Sequence, residues 1–125
     1  MPYRFGFKKP VAKYRARRVT TADGHSFPSQ IEANRWGQLQ QLQAAGHLSE
    51  LSRQPKVLLT RAAIVYHPDF KYLEAGRWIY EETKGFETED YKIKKKLWTV
   101  YGPAPLRIMK TVKGQGISMV EEIVP

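Results

Sequence analysis

The sequence contains no cysteine. That absence removes disulfides, thiolate zinc sites and cysteine nucleophiles together, fits a reducing compartment, and leaves any bound metal to oxygen or imidazole donors. No apolar run of about 20 residues is present, nor a signal-peptide pattern or lipidation box, so a soluble chain with no membrane partner is expected. Repeats and low-complexity blocks are missing as well. Acid is scarce: 12 Asp and Glu stand against 21 Lys and Arg in 125 residues, a formal charge of +9. An excess of that size is the electrostatic footprint of a phosphate-rich partner, with an anionic membrane surface as the competing reading. The length suits one domain that buries roughly two thirds of its unfolded surface.

Basic residues crowd the start. Residues 1–18 (MPYRFGFKKPVAKYRARR) carry lysine and arginine without acid and read as a basic arm ahead of a single domain over 19–125. A solubilising tail and a direct nucleic-acid contact explain this arm equally well. In RVTTADGHSF, Asp23-Gly24 signals a two-residue hairpin turn, which needs positive φ at both central positions. From Ser29 to about Ala45 the spacing predicts a helix, with Ile31, Leu39 and Leu42 near one face, Trp36 beside them, and Gly46 as its stop. KVLLT and AAIVYHPDFKYLE predict two strands, and EAG a turn into a third, RWIYEETKGF, ended by Gly85. Alternation there sends Trp78, Tyr80, Glu82 and Lys84 to one face and Arg77, Ile79, Glu81 and Thr83 to the other. TEDYKIKKKLWTVY predicts a second amphipathic helix with acids at its N-terminus, and PLRIMKTV a last strand. Beyond it lies only a short apolar stretch, ISMVEEIV. The order of hairpin, helix, three strands, helix and strand predicts a mixed α/β domain with helices packed on a small sheet.

Two of these strands carry acids where strands ordinarily carry apolar or solvated residues. Period-two geometry places Glu82 and Lys84 on one face, ~6.6 Å apart along the chain, and Asp69 on the preceding strand can lie opposite them. Two carboxylates at that range repel each other unless a divalent cation neutralises both. Hard oxygen donors of this kind suit Mg²⁺ or Mn²⁺, which keep several waters and take their remaining positions from substrate phosphate. A lysine beside such an ion can hold or deprotonate an attacking water, or neutralise charge building on phosphorus. A Glu-x-Lys on a strand is commonly just a solvated face. Pro68 sets this one apart, since proline in a strand marks an edge, a bulge or an end, where active-site residues tend to sit.

Pro68-Asp69, then twelve intervening residues and Glu82-Thr83-Lys84, resembles the signature of the PD-(D/E)XK nuclease superfamily. The resemblance implies a restriction-endonuclease-like core: a helix, an antiparallel three-stranded meander, a second helix and one further strand, here preceded by the N-terminal hairpin. More narrowly, DGHSFPSQIEANR, QPKVLL, PDFKY and EETKGFETEDYKIKKKLW resemble small, mostly phage-encoded nuclease-like and resolvase-like proteins, over most of residues 13–110. What this implies is an Mg²⁺-dependent endodeoxyribonuclease, with Mn²⁺ able to substitute. Asp69, Glu82 and the Thr83 carbonyl would hold the metal, Lys84 would be the catalytic lysine, Glu32 an acid that also reaches the metal, and Gln54 a neighbour of the site. The implied substrate is branched or structured DNA such as a Holliday junction, in phage recombination or replication within the cytoplasm of an infected bacterial host. Cutting two symmetric strands would favour a homodimer. A non-catalytic nucleic-acid-binding protein that keeps the fold is the alternative, and a structural RNA-binding phage component a third reading. Neither gains anything from two acids facing phosphate.

Several residues carry rival readings. Ser29-Gln-Ile-Glu32 also fits a capping box, in which Glu32 merely reaches back to the Ser29 amide. Glu81 is expected to point away from Lys84, solvated or paired with a lysine. His67 falls on the face of Asp69, where it could serve as a general base, while His25 and His47 read as surface residues. Trp36, Trp78 and Trp98 are expected in the core rather than stacked on bases. Lys92, Lys95 and Lys96 on the second helix, with Arg15, Arg17 and Arg18 on the arm, are expected to contact phosphates.

Overall fold

The structure, a computed structural model, describes residues 18–84 and 87–125. Arg15, Arg17 and the rest of the arm up to residue 17 lie outside the described residues, as does Gly85. A hairpin of β1 (Val19–Thr20) and β2 (Ser26–Phe27) leads into α1 (Gln30–Ala44), followed by β3 (Ser49–Arg53), β4 (Val57–Leu58), β5 (Val65–Tyr66), β6 (Phe70–Glu74) and β7 (Arg77–Thr83). Helix α2 (Glu89–Tyr101), β8 (Leu106–Val112) and β9 (Gly116–Ile123) complete the chain. The central sheet has the order β3-β6-β7-β8-β9. β6 pairs antiparallel with both β3 and β7, β8 runs parallel to β7, and β9 returns antiparallel on β8. A parallel step needs a crossover, and α2 supplies it. Among the described residues no helix is long and apolar enough to cross a membrane.

The helices lie on opposite faces of this sheet. Ala33, Trp36 and Leu39 of α1 pack with Phe27, Phe70, Tyr72 and Ile79, whereas Tyr91 and Trp98 of α2 pack with Tyr66, Tyr80, Leu106 and Ile108. β7 is consequently buried on both sides over most of its length. Both helices begin at N-caps: Ser29, the first residue of the expected capping box, accepts the Glu32 N–H through its Oγ, and Thr88 Oγ1 accepts the Tyr91 N–H just ahead of the acids expected in the first turn. Gly46, at φ 85°, follows the end of α1 in the left-handed conformation that closes helices.

The structure corrects the strand reading at four places. KVLLT stays out of the central sheet, because Val57-Leu58 pairs with Val65-Tyr66 in a separate ribbon. The first strand of the antiparallel part is instead SELSR, β3, an edge strand whose register shifts between Ser49 and Ser52 and whose side chains are mostly exposed. AAIVYHPDFKYLE divides at Pro68, which has no N–H for a ladder, so β5 joins the ribbon and β6 the main sheet. The Asp23-Gly24 turn is a longer loop, with Thr21 N–H donating to His25 O, and only Gly24 of that pair has positive φ. Asp23 acts there through its carboxylate, which accepts from the Thr21 hydroxyl, the His25 N–H and the Trp36 indole. Finally, ISMVEEIV forms most of β9, and Trp78 is 40% exposed beside the β6–β7 turn, its ring 4.3 Å from the Lys71 ammonium. Trp36 and Trp98 are buried as expected.

Candidate functional site

Three strand ends and the first turn of α1 converge at one end of the sheet. The β6–β7 pairing stops at Phe70 opposite Glu81, so Asp69 stands just before β6 while β7 runs two residues further. The Thr83 N–H, freed from that ladder, donates to Asp69 Oδ2 at 2.8 Å, and its hydroxyl donates to the same oxygen at 2.7 Å. Both backbone groups of a strand residue point to one edge, so the Thr83 carbonyl faces the Asp69 side as well. Glu82 lies on the α2 face of the sheet. Its Oε1 accepts from the buried Tyr66 hydroxyl at 2.8 Å, and its Oε2 lies 2.9 Å from Lys84 Nζ. The Lys84 ammonium also sits 4.3 Å from the centre of the Tyr91 ring.

Gln54 links this pair to the helix. Its Nε2 donates to Glu32 Oε2 at 3.1 Å and reaches Asp69 Oδ1 at 3.4 Å, while its N–H donates to the Asp69 carbonyl at 2.9 Å. Gln54 achieves this in the left-handed region, at φ 50°, where a side-chain-bearing residue is strained. Glu32 shows half of a capping box: its N–H bonds the Ser29 hydroxyl, but its carboxylate is buried and goes to Gln54. Arg53 Nη2 lies at 4.0 Å from that carboxylate.

Three acids thus meet with little positive charge to balance them. Burial, then repulsion from Asp69, pushes Glu32 up to about 8, and the same two causes push Glu82 up to about 7. Burial also raises Asp69, against the opposing hydrogen bonds from Thr83. Among the described residues no three His, Cys, Asp or Glu side chains form a ready-made metal cage. Asp69, Glu82 and the Thr83 carbonyl are hard oxygen donors of the type that could hold a divalent cation whose shell water and substrate complete. Folded-state values above the ordinary carboxylate range mean that the native chain binds more protons than the unfolded one. Without metal, stability should therefore fall as pH rises from about 4.5 to about 8. Mn²⁺ should raise the unfolding temperature strongly at pH 8 and little at pH 5; scanning fluorimetry reads both, and metal-free stability climbing from pH 5 to pH 8 would contradict the arrangement.

Glu81 is the largest departure from expectation. It is fully buried rather than solvated, since α1 covers that face, and an arginine rather than a lysine pairs with it. Arg35 Nε and Nη2 donate to its two oxygens at 2.8 Å each, and the Tyr72 hydroxyl donates to Oε2. Nothing in the spacing of Arg35 and Glu81, on separate elements, signals this pair. Arg35→Ala would strand a buried carboxylate, and the expected loss is about 3–5 kcal/mol, seen as a lower denaturant midpoint. Tyr66 and Tyr91 are the site residues that the sequence reading missed. Among the described residues the buried Tyr91 hydroxyl has no hydrogen-bond partner.

The remaining candidates are scattered. His67 is exposed, with Nδ1 3.4 Å from the Gln54 carbonyl, and His25 and His47 are exposed as expected. Arg18 is exposed and donates to the Ser26 hydroxyl. Lys92, Lys95 and Lys96 line a depression of about 390 Å³ shared with Glu87 and Glu121. Lys95 is engaged there, 2.7 Å from Glu121 and 3.5 Å from Glu87, so it is less available to a phosphate than its spacing suggested. Lys92 lies 3.3 Å from Glu89 in an exposed pair worth little, and Lys96 is exposed.

Comparison with known proteins places the chain in a family. Residues 11–116 match the family described as "Protein of unknown function (DUF1064)", and the chain belongs to it. No curated protein matches the chain.

Proposed function

We propose that the chain is a divalent-metal-dependent DNA endonuclease that hydrolyses phosphodiester bonds in branched or structured DNA, in phage recombination or replication. The observation that carries this reading is the convergence of Asp69, Glu82 and Lys84 at one sheet end, with Gln54 joining Asp69 to Glu32. The same residues carry the resemblance to PD-(D/E)XK nucleases, and the substrate form rests on that resemblance. Asp69, Glu82 and the Thr83 carbonyl would hold the ion, with Glu32 as a supporting acid behind Gln54. When bound, Mg²⁺ or Mn²⁺ supplies a Lewis acid for the phosphoryl oxygen and a lower pKa for a coordinated water.

The chain's own groups do the rest. Thr83 fixes the rotamer of Asp69 through two hydrogen bonds to one oxygen, leaving the other turned toward Gln54. Tyr66 does the same for Glu82, so neither carboxylate must reorganise when substrate arrives. Lys84 holds its ammonium beside Glu82, where it would offset negative charge growing on the phosphate. A pair of chains related by a two-fold axis would present two such sites to a junction.

The test is incubation of purified protein with Mg²⁺ or Mn²⁺ and labelled junction, flap, nicked, duplex and single-stranded DNA. Preferred cutting of the junction is expected. Tight binding with no cleavage of any form would replace this reading by that of a non-catalytic DNA-binding protein.

A further inference from the structure

We propose that Lys110 is a substrate-binding residue of this site, whose ammonium receives a backbone phosphate of the DNA. This rests on the nuclease reading and adds a contact on β8, an element that none of the residues above occupies. The register of β7 against β8 pairs Glu82 with Ile108 and Thr83 with Met109, and the Lys84 N–H continues it by donating to the Met109 carbonyl at 2.9 Å. The next position in register sets Lys110 beside Lys84. Neighbouring strands lie about 4.8 Å apart, and residues two apart on one strand share a face. Ile108 is buried among Tyr91 and Trp98 on the α2 side, so Lys110 follows on that side, the one that carries Glu82 and Lys84.

The charges explain why this position matters. Lys84 is committed to Glu82 and to the Tyr91 ring, and Lys95 to Glu121 and Glu87. Lys110 is partly buried and forms no ion pair among the described residues. An ammonium without a counter-ion is free to receive an anion. A divalent ion and Lys84 together would balance Glu32, Asp69 and Glu82 when all three are ionised. Each phosphodiester then brings one further negative charge, and Lys110, next to Lys84 in register and without an ion pair among the described residues, is placed to meet it. Its fixed place on a sheet strand makes the contact a positioning one as well as an attractive one.

The experiment is an anisotropy titration of one labelled four-way DNA junction in Ca²⁺ over a range of KCl concentrations, with single-turnover cleavage in Mg²⁺ alongside. The parent is compared with Lys110→Ala, Lys110→Arg and Lys71→Ala. Lys110→Ala should bind about tenfold more weakly, the scale of one charge-assisted hydrogen bond, and flatten the slope of log affinity against log salt by about one. Lys110→Arg should restore both, and Lys71→Ala, whose lysine lies on Trp78 near the β6–β7 turn, should match the parent. Parental affinity and slope in Lys110→Ala, or weaker binding with an unchanged slope, would overturn the proposal. If the parent cuts no DNA while the salt signature of Lys110 persists, the nuclease reading fails and the phosphate contact stands. If the parent cuts and Lys110→Ala binds normally, only the Lys110 proposal fails.

Discussion

Asp69→Asn should reduce DNA cleavage at least about 10³-fold, corresponding to roughly 4 kcal/mol of lost transition-state stabilisation, while leaving a folded protein. Asparagine is the informative replacement because it keeps an oxygen for the two Thr83 donors, which in Asp69→Ala would be left buried and unpaired at a cost of about 1–3 kcal/mol. The change removes one negative charge from a site where three acids crowd together. DNA affinity in the absence of metal should therefore hold or improve, and calorimetric Mn²⁺ titration should show binding weakened beyond detection. The same substitution should weaken the fall in metal-free stability between pH 4.5 and pH 8, since Asp69 is the leading charge that raises both Glu32 and Glu82. A variant that binds Mn²⁺ and cuts as the parent does would place the metal site elsewhere.

Elements with local signals were legible in the sequence. Both helices announce themselves through apolar spacing, with the Ser29 capping box at the first and the acids Glu89 and Asp90 at the start of the second, and their observed limits agree closely with the sequence reading. The Glu74–Arg77 hairpin is similar: Ala75 and Gly76 both take positive φ, as a two-residue turn requires. The edge strands were not legible. β3 and β9 bury few side chains and are irregular in register, so no period-two pattern of apolar residues marks them. KVLLT misled for the opposite reason. Val57 and Leu59 are buried, but against α2 and the underside of the sheet rather than within it. Apolar alternation reports burial, and only the pairing partner decides which sheet a strand joins.

The same distinction runs through the site. The neighbourhood of Asp69, Glu82 and Lys84 was legible because Glu82 lies on β7 while Asp69 and Lys84 lie one residue beyond the ends of β6 and β7, close enough for two-residue periodicity to guide the reading. Alternation also placed Glu81 correctly on the opposite face, yet that face was assumed to meet solvent. A central strand flanked by helices on both sides has no solvent face, and Arg35, from a distant helix, neutralises Glu81 there. Tyr66 and Gln54 reach the acids from turns and a ribbon whose placement depends on the tertiary fold. Gln54 entered the sequence reading through resemblance alone, and Tyr66 had no signal beyond an apolar run.

Lys84→Ala should slow single-turnover cleavage by about 10²-fold or more, the scale for removing one preorganised electrostatic donor, with little change in DNA affinity. The contrast between rate and affinity follows from how the ammonium is held. Glu82 Oε2 at 2.9 Å and the Tyr91 ring at 4.3 Å keep Lys84 in place before substrate arrives, so its charge is partly offset in the ground state. As negative charge builds on the phosphate, that offset is overtaken and the lysine contributes most in the transition state. Lys84→Arg should not restore the rate: the planar guanidinium cannot occupy the same point and does not release a proton. Lys94→Ala is the control, because Lys94 sits on α2 at 3.9 Å from Asp90 and should affect binding modestly at most. Cleavage by the three variants at saturating protein in Mg²⁺ separates a catalytic lysine from an ordinary strand lysine. Cutting by Lys84→Ala at the parental rate would make the Glu82–Lys84 pair structural and remove the main support for hydrolysis at this site.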